Sequence, residues 1–199
     1  MTYFIIWNGF GEEYCYAKGN TALKKRLETG EIIHKTKAIQ GSDGVNAVVY
    51  AIVEAPPADV WQVVSDCSKY TESMYRVIGS RLLEQKGDKR ICEVTVSVPG
   101  PIPDLTAVTE ATHSVSNNRW VRSWKLLRGD YAKNEGSWSL EPYGEEKQRT
   151  LVVYRVAVAP KLPIPSAIAR WAQNRSLPDV IVQLRKVVAS KLQKKKSKL

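Results

Sequence analysis

Apolar positions in this 199-residue chain recur with two different periods. Asn46–Glu54 is a Val-, Tyr- and Ile-rich run closed by Ala55-Pro56-Pro57, which predicts a strand. Ala58–Ser65 then carries Val60, Trp61, Val63 and Val64 at helical spacing. Asp66 can cap a second short helix running through Met74, because its carboxylate can accept the free backbone N–H groups at a helix start. From Val77 onward the period is two. In Arg90–Val98 the residues Cys92, Val94, Val96 and Val98 share one face, with Glu93, Thr95 and Ser97 on the other. Pro99-Gly100-Pro101 ends that run, and Leu105–Val115 follows it to a turn at Asn117-Asn118. Arg119–Leu127 places Trp120, Arg122, Trp124 and Leu126 together. Asn134–Pro142 groups Gly136, Trp138 and Leu140, and Arg149–Val158 groups Val152, Tyr154, Val156 and Val158. Short strands at roughly ten-residue spacing predict one antiparallel meander with one face covered.

A proline-punctuated loop, Pro160–Pro165, opens a long helical region over Ser166–Leu192, where Ile168, Trp171, Ala172, Ile181, Leu184 and Val188 fall near one stripe. Pro178 lacks an N–H, so that region must kink or restart there, with Ser176 available as a cap. Near the start, Tyr3–Trp7 before Asn8-Gly9 reads as a strand entering a hairpin. Thr21–Thr29 reads as a helix ended by Gly30, and Glu31–Ile39 as a further strand. The chain therefore divides into an N-terminal extension (1–44), a principal domain (45–192) and a basic tail (193–199).

Composition narrows the function classes. A hydrophobic share of 43% supplies a sizeable core, yet no apolar run reaches transmembrane length. Met1–Trp7 lacks the basic flank and cleavage site of a signal peptide. The net charge of +10 is uneven: seven basic residues and no acid lie from Arg185 onward, so +10 less seven leaves only +3 elsewhere. That body is no nucleic-acid surface on composition. Cys15, Cys67 and Cys92 are odd in number and widely spaced. They read as neither a disulfide framework nor a metal knuckle, and a cytoplasmic location fits them. Cys92, on an apolar strand face, reads as a buried inert thiol. The two histidines, His34 and His113, make no HxxxH or HExxH spacing, and no phosphate loop, dinucleotide fingerprint or GxSxG elbow is present. No metal, cofactor or catalytic residue set is expected.

The order strand, two short helices, six strands, long helix is that of the helix-grip plan. Ala55-Pro56-Pro57-Ala58-Asp59-Val60-Trp61, then Asp66 with Tyr70, resemble the entry and first helices of the START-like (SRPBCC) superfamily. Asn134-Glu-Gly136-Ser-Trp138 and Thr150-Leu-Val-Val-Tyr154 resemble its late hairpin. The likeness spans about residues 45–192 and is nearest the bacterial polyketide-cyclase, lipid-transport and coenzyme Q-binding branches. It implies an α+β fold in which a curved antiparallel sheet grips the C-terminal helix. A hollow between them would hold a lipid, sterol, quinone or polyketide.

With the strand faces above turned inward, the candidate ligand-binding residues are Val94, Val96, Leu105, Trp120, Arg122, Trp124, Trp138 and Tyr154, closed from the helix by Ile168, Trp171 and Ile181. The same side chains would equally fill a solid core. Arg122 interrupts an apolar stripe, where an unpaired charge is costly. It is expected either to fix a ligand's carboxylate, carbonyl or hydroxyl, or to pair with an acid or reach out to water. Two other functions stay open: a cyclase using His113, Arg122 and Tyr154, and an interaction module without a ligand. The lysine tail is expected either to touch an anionic membrane or to be a solvated terminus.

Overall fold

The computed structural model of the protein describes residues 21–100, 102–171 and 175–197. The N-terminal hairpin expected at Tyr3–Gly9, and Cys15, lie outside the described residues. The elements run α1 (Thr21–Glu28), β1 (Ile33–Ala38), β2 (Val45–Val53), α2 (Pro57–Val64), a 3-10 turn (Cys67–Lys69), α3 (Tyr70–Ser73), β3 (Val77–Lys86) and β4 (Lys89–Val96). They continue as β5 (Leu105–Ser116), β6 (Arg119–Gly129), β7 (Tyr131–Tyr143), β8 (Arg149–Pro160), α4 (Ser166–Trp171) and α5 (Leu177–Lys196). The strands form one antiparallel sheet in the order β1-β2-β8-β7-β6-β5-β4-β3. The α+β, curved-sheet expectation is met.

β2 shows how the sequence places the layers. Every residue of Val45–Val53 except Asn46 is buried, so the strand is covered on both faces. Val48, Tyr50 and Ile52 pack with Leu23 and Leu27 of α1, and with Leu151 and Val153 of β8. The alternate residues Ala47, Val49, Ala51 and Val53 face the other way, into the larger core beneath α2 and α5. Between β5 and β6, Asn117 and Asn118 take φ of 48° and 59°, a left-handed pair that suits asparagine and closes a tight hairpin.

In the helical region α4 runs to Trp171 and α5 starts at Leu177 with Pro178 in its first turn, where a proline is tolerated; residues 172–174 lie outside the described residues. Ser176 does not cap the restart. Residues 175–176 already wind as a π turn, which gives Ser176 helical angles (φ −62°, ψ −37°) and no side-chain cap bond. Arg185 is also not part of a free tail. Its Nε donates to Ile52 O and its Nη1 to Gly30 O, each at 2.9 Å, locking α5 across the end of β2. The free basic segment is therefore shorter than the charge run implied.

Candidate functional site

The inner face of the sheet is roofed by α2, the 3-10 turn and α3 on one side and by α5 along its length. Pro56-Pro57 makes α2 start sharply, since proline at the first helical turn forgoes an N–H that would lack a partner there. The buried Thr150 hydroxyl, donating to Ala55 O at 2.6 Å, pins that entry to β8. Asp66 accepts from Ser68 N, as expected of a cap, and the buried Tyr70 hydroxyl donates back to Val64 O. These bonds hold Cys67 over β4, where it forms a disulfide with Cys92. Both cysteines are buried, at 2% and 0% exposure.

The disulfide corrects the reading of Cys67 and Cys92 as unpaired, and of Cys92 as a free thiol. Spacing alone cannot reveal the pair, because 25 residues and two changes of direction separate the cysteines. Only the packing of the 3-10 turn on β4 brings them together. With the bond formed, these cysteines no longer argue for a reducing compartment. Among the described residues, no helix is long and apolar enough to cross a membrane.

Arg122 lies at the centre of this arrangement. It is 3% exposed, so it neither reaches water nor snorkels to the sheet edge. Its Nη1 lies 2.7 Å from Nε2 of His113, its cross-strand neighbour on β5. Its Nη2 spans β5 to meet the Cys92 sulfur at 3.5 Å, and the guanidinium carbon sits 5.7 Å from the centre of the Tyr70 ring. Among the described residues no carboxylate pairs with it. Placing a cation in such surroundings without a counter-charge costs on the order of several kcal/mol.

His113 adds no balancing charge. Burial, with help from the Arg122 and Arg90 cations and against Asp88, pushes its pKa down to about 4, so the ring is neutral at pH 7. Since Arg122 has only N–H groups to offer, His113 Nε2 accepts and its proton sits on Nδ1. Trp61 of α2 closes edge-on over the His113 ring at 5.0 Å. Burial pushes the Tyr70 hydroxyl up, opposed by Arg122, which leaves it a neutral donor.

Beside Arg122 runs an aromatic row. Tyr154 stacks on Trp138 at 4.2 Å and lies 6.1 Å from Trp124. Trp124 passes over Gly136, where a Cβ would come within 2.5 Å of the indole and 2.2 Å of Arg155 O, so glycine is required there. Asn134 Oδ1 holds the Trp124 indole N–H at 3.0 Å. The Tyr154 hydroxyl has no hydrogen-bond partner among the described residues, and burial raises its pKa.

The residues expected at the site therefore divide. Val94, Trp120, Trp124, Trp138, Tyr154 and Ile181 belong to one cluster, on the face that carries Arg122. Leu105 packs elsewhere, with Ala107, Tyr131 and Leu162 near the end of the sheet. Val96 is half-buried on β4. Ile168 lies on α4 against Gly100, at the proline loop. Trp171 ends α4, and its side chain is outside the described part. Cys67, Tyr70 and Trp61 complete the surroundings of Arg122 and were not among the expected site residues.

A family model described as "Polyketide cyclase / dehydrase and lipid transport" matches residues 53–185. A search of curated proteins finds no significant match. Solved structures show the fold. A STAR-related lipid transfer protein from Xanthomonas axonopodis is 20% identical with a TM-score of 0.68, covering 79% of this chain and 93% of its own. Human StAR-related lipid transfer protein 5 is 12% identical with a TM-score of 0.65, covering 90% and 96%. The Zhui aromatase/cyclase from a Streptomyces species is 16% identical with a TM-score of 0.52, covering 82% and 94%. At these identities the likeness is one of architecture, and it is START-like throughout.

Proposed function

Because the chain belongs to the polyketide cyclase/dehydrase and lipid transport family, we propose that it binds and carries a hydrophobic small molecule between the inner sheet face and α5, with Arg122 holding the ligand's polar group. The observation that carries this reading is Arg122 itself, a buried cation with no carboxylate partner among the described residues, beside the Trp124–Tyr154–Trp138 row. A solid core gains nothing from such a charge, whereas a ligand oxygen would supply the missing acceptor while its apolar body covers the aromatic rings. The unpartnered Tyr154 hydroxyl offers a second polar contact.

A cyclase would need a group free to take a proton. His113 is neutral, but the one lone pair it would use accepts from Arg122. Carriage is therefore better supported than chemistry. Native mass spectrometry of the purified protein, followed by solvent extraction, tests the reading. A bound amphiphile should be released on extraction and should be absent from the Trp138→Asp variant. A bare protein mass that takes up no added lipid, quinone or sterol would contradict it.

A second reading concerns the end of α5. Lys191, Lys194 and Lys195 border a shallow groove with Val188, Leu192, Asp59 and Gln62, and Lys195 lies 3.7 Å from Asp59. Basic side chains around an apolar floor suit the surface of an anionic membrane, beside which a carrier would load or unload.

A further inference from the structure

The proposed site is unusual in having a disulfide sulfur as one neighbour of its unbalanced cation. We infer that Arg122 is an anion seat whose occupancy by a ligand is coupled to the redox state of Cys67–Cys92. The inference rests on the reading of the inner face as a ligand site, and it narrows the ligand class to an apolar body bearing a carboxylate or phosphate.

Among the described residues, every group that reaches Arg122 in the oxidised protein is neutral: the His113 ring, the Tyr70 ring and the disulfide itself. Tyr70 already gives its hydroxyl proton to Val64 O, and His113 already accepts from Nη1. The cluster thus lacks one thing, a negative charge. A neutral alcohol or ketone would leave the cation unbalanced, but an anion would complete it with charge-assisted hydrogen bonds.

Reduction lets the protein supply that charge from within. A dithiol reductant breaks the S–S bond, delivering two electrons and two protons, and is itself oxidised to a disulfide. Two thiols result, and Cys92 carries one of them at the position that now lies 3.5 Å from Nη2. A neighbouring guanidinium favours the thiolate, so Cys92 can release its proton to solvent and pair with Arg122. The thiolate and the ligand anion then compete for one cation. Cys67 sits in a short turn on the other side of the bond, followed by the exposed Ser68 and Lys69. Linkage makes the coupling reciprocal: a ligand that prefers the oxidised form must make the disulfide harder to reduce by the same factor.

Dodecanoate and dodecanol, which share a chain and differ in charge, are the probes, each measured by displacement of an apolar fluorescent dye. Oxidised wild-type protein should bind dodecanoate about tenfold or more tighter than dodecanol. After reduction, and in Cys67→Ser, that preference should collapse while dodecanol binding holds. The double variant Cys67→Ala/Cys92→Ala, with neither disulfide nor thiolate, should keep the preference. Saturating dodecanoate should lower the reduction midpoint of the wild-type protein by about 30 mV for each tenfold of preference.

If the double variant loses the preference as the reduced protein does, loosened structure is the cause and the redox coupling is overturned. An unmoved midpoint overturns it without any variant. Equal binding of acid and alcohol by the oxidised protein removes the anion seat but leaves carriage of a hydrophobic molecule standing. Binding of neither removes both.

Discussion

The two faces of the same sheet follow opposite rules. Beneath α1, Val48, Tyr50, Ile52, Leu151 and Val153 meet Leu23, Leu27 and Ile33 in a cluster that is aliphatic but for Tyr50, with Tyr143 packed at its margin. Beneath α2 and α5, the larger cluster mixes aliphatic side chains with Trp138, Tyr70 and the half-buried Trp120, Trp124 and Tyr154, and adjoins the buried Arg122. A face that only has to stabilise the fold has no use for a cation without a counter-charge. Carrying one on the other face costs stability, a trade-off that the proposed ligand site would account for.

That contrast can be broken by substitution. Leu27 is 2% exposed in the aliphatic cluster, and Leu27→Ala should remove about 2–5 kcal/mol of stability in chemical denaturation. Ligand affinity should hold as long as the protein is folded. A large loss of affinity from that site would mean that the two faces are not functionally distinct.

A smaller effect sharpens the electrostatic side. The folded pKa of His113, about 4, is depressed below its ordinary 6.5. Because the unfolded chain binds a proton first as pH falls, the contribution to stability is fully present above about pH 6.5. It is lost progressively toward pH 4. The ring is partly exposed, and solvent screening keeps the effect modest. Urea denaturation of wild type and His113→Gln across pH 4–7 should show the variant's stability changing less steeply. Parallel pH profiles would mean that His113 is not held neutral by its surroundings.

The smallest expected effect is on membrane contact. Replacing Lys191, Lys194 and Lys195 with Gln should weaken co-sedimentation with anionic vesicles at low salt and leave ligand binding in the absence of vesicles unchanged. If the variant co-sediments as wild type does, the end of α5 has no such role.

How legible this was from sequence depends on the scale of the interaction. Period-two runs gave β4 to β8 to within a few residues, and Pro178 foretold the restart of α5, because local sterics and burial govern both. Arg122 stood out because its phase put a charge between Trp120 and Trp124. Its surroundings did not stand out. The Cys67–Cys92 bond and the closeness of Tyr70 and Trp61 depend on where the turn after α2 lands on β4, and no local pattern encodes that. The anchoring of Arg185 was hidden for the same reason: counted only as the start of the basic run, it is bound to the carbonyls of Ile52 and Gly30, far away in sequence. Leu105 had the right phase but lies too far along its strand, in the cluster around Tyr131.

The central claim is that the inner face sacrifices stability to hold a ligand at Arg122, and thermal unfolding of wild type and Arg122→Met, with and without dodecanoate, tests it most directly. Without ligand the variant should melt at the same temperature as wild type or higher, since an unbalanced buried cation has been exchanged for an apolar side chain of similar length. Added dodecanoate should raise the melting temperature of wild type in a concentration-dependent way and raise that of the variant much less, consistent with loss of about 1–3 kcal/mol of binding. A variant that melts well below wild type without ligand, yet responds to dodecanoate equally, would show that Arg122 is a structural group and contradict the account.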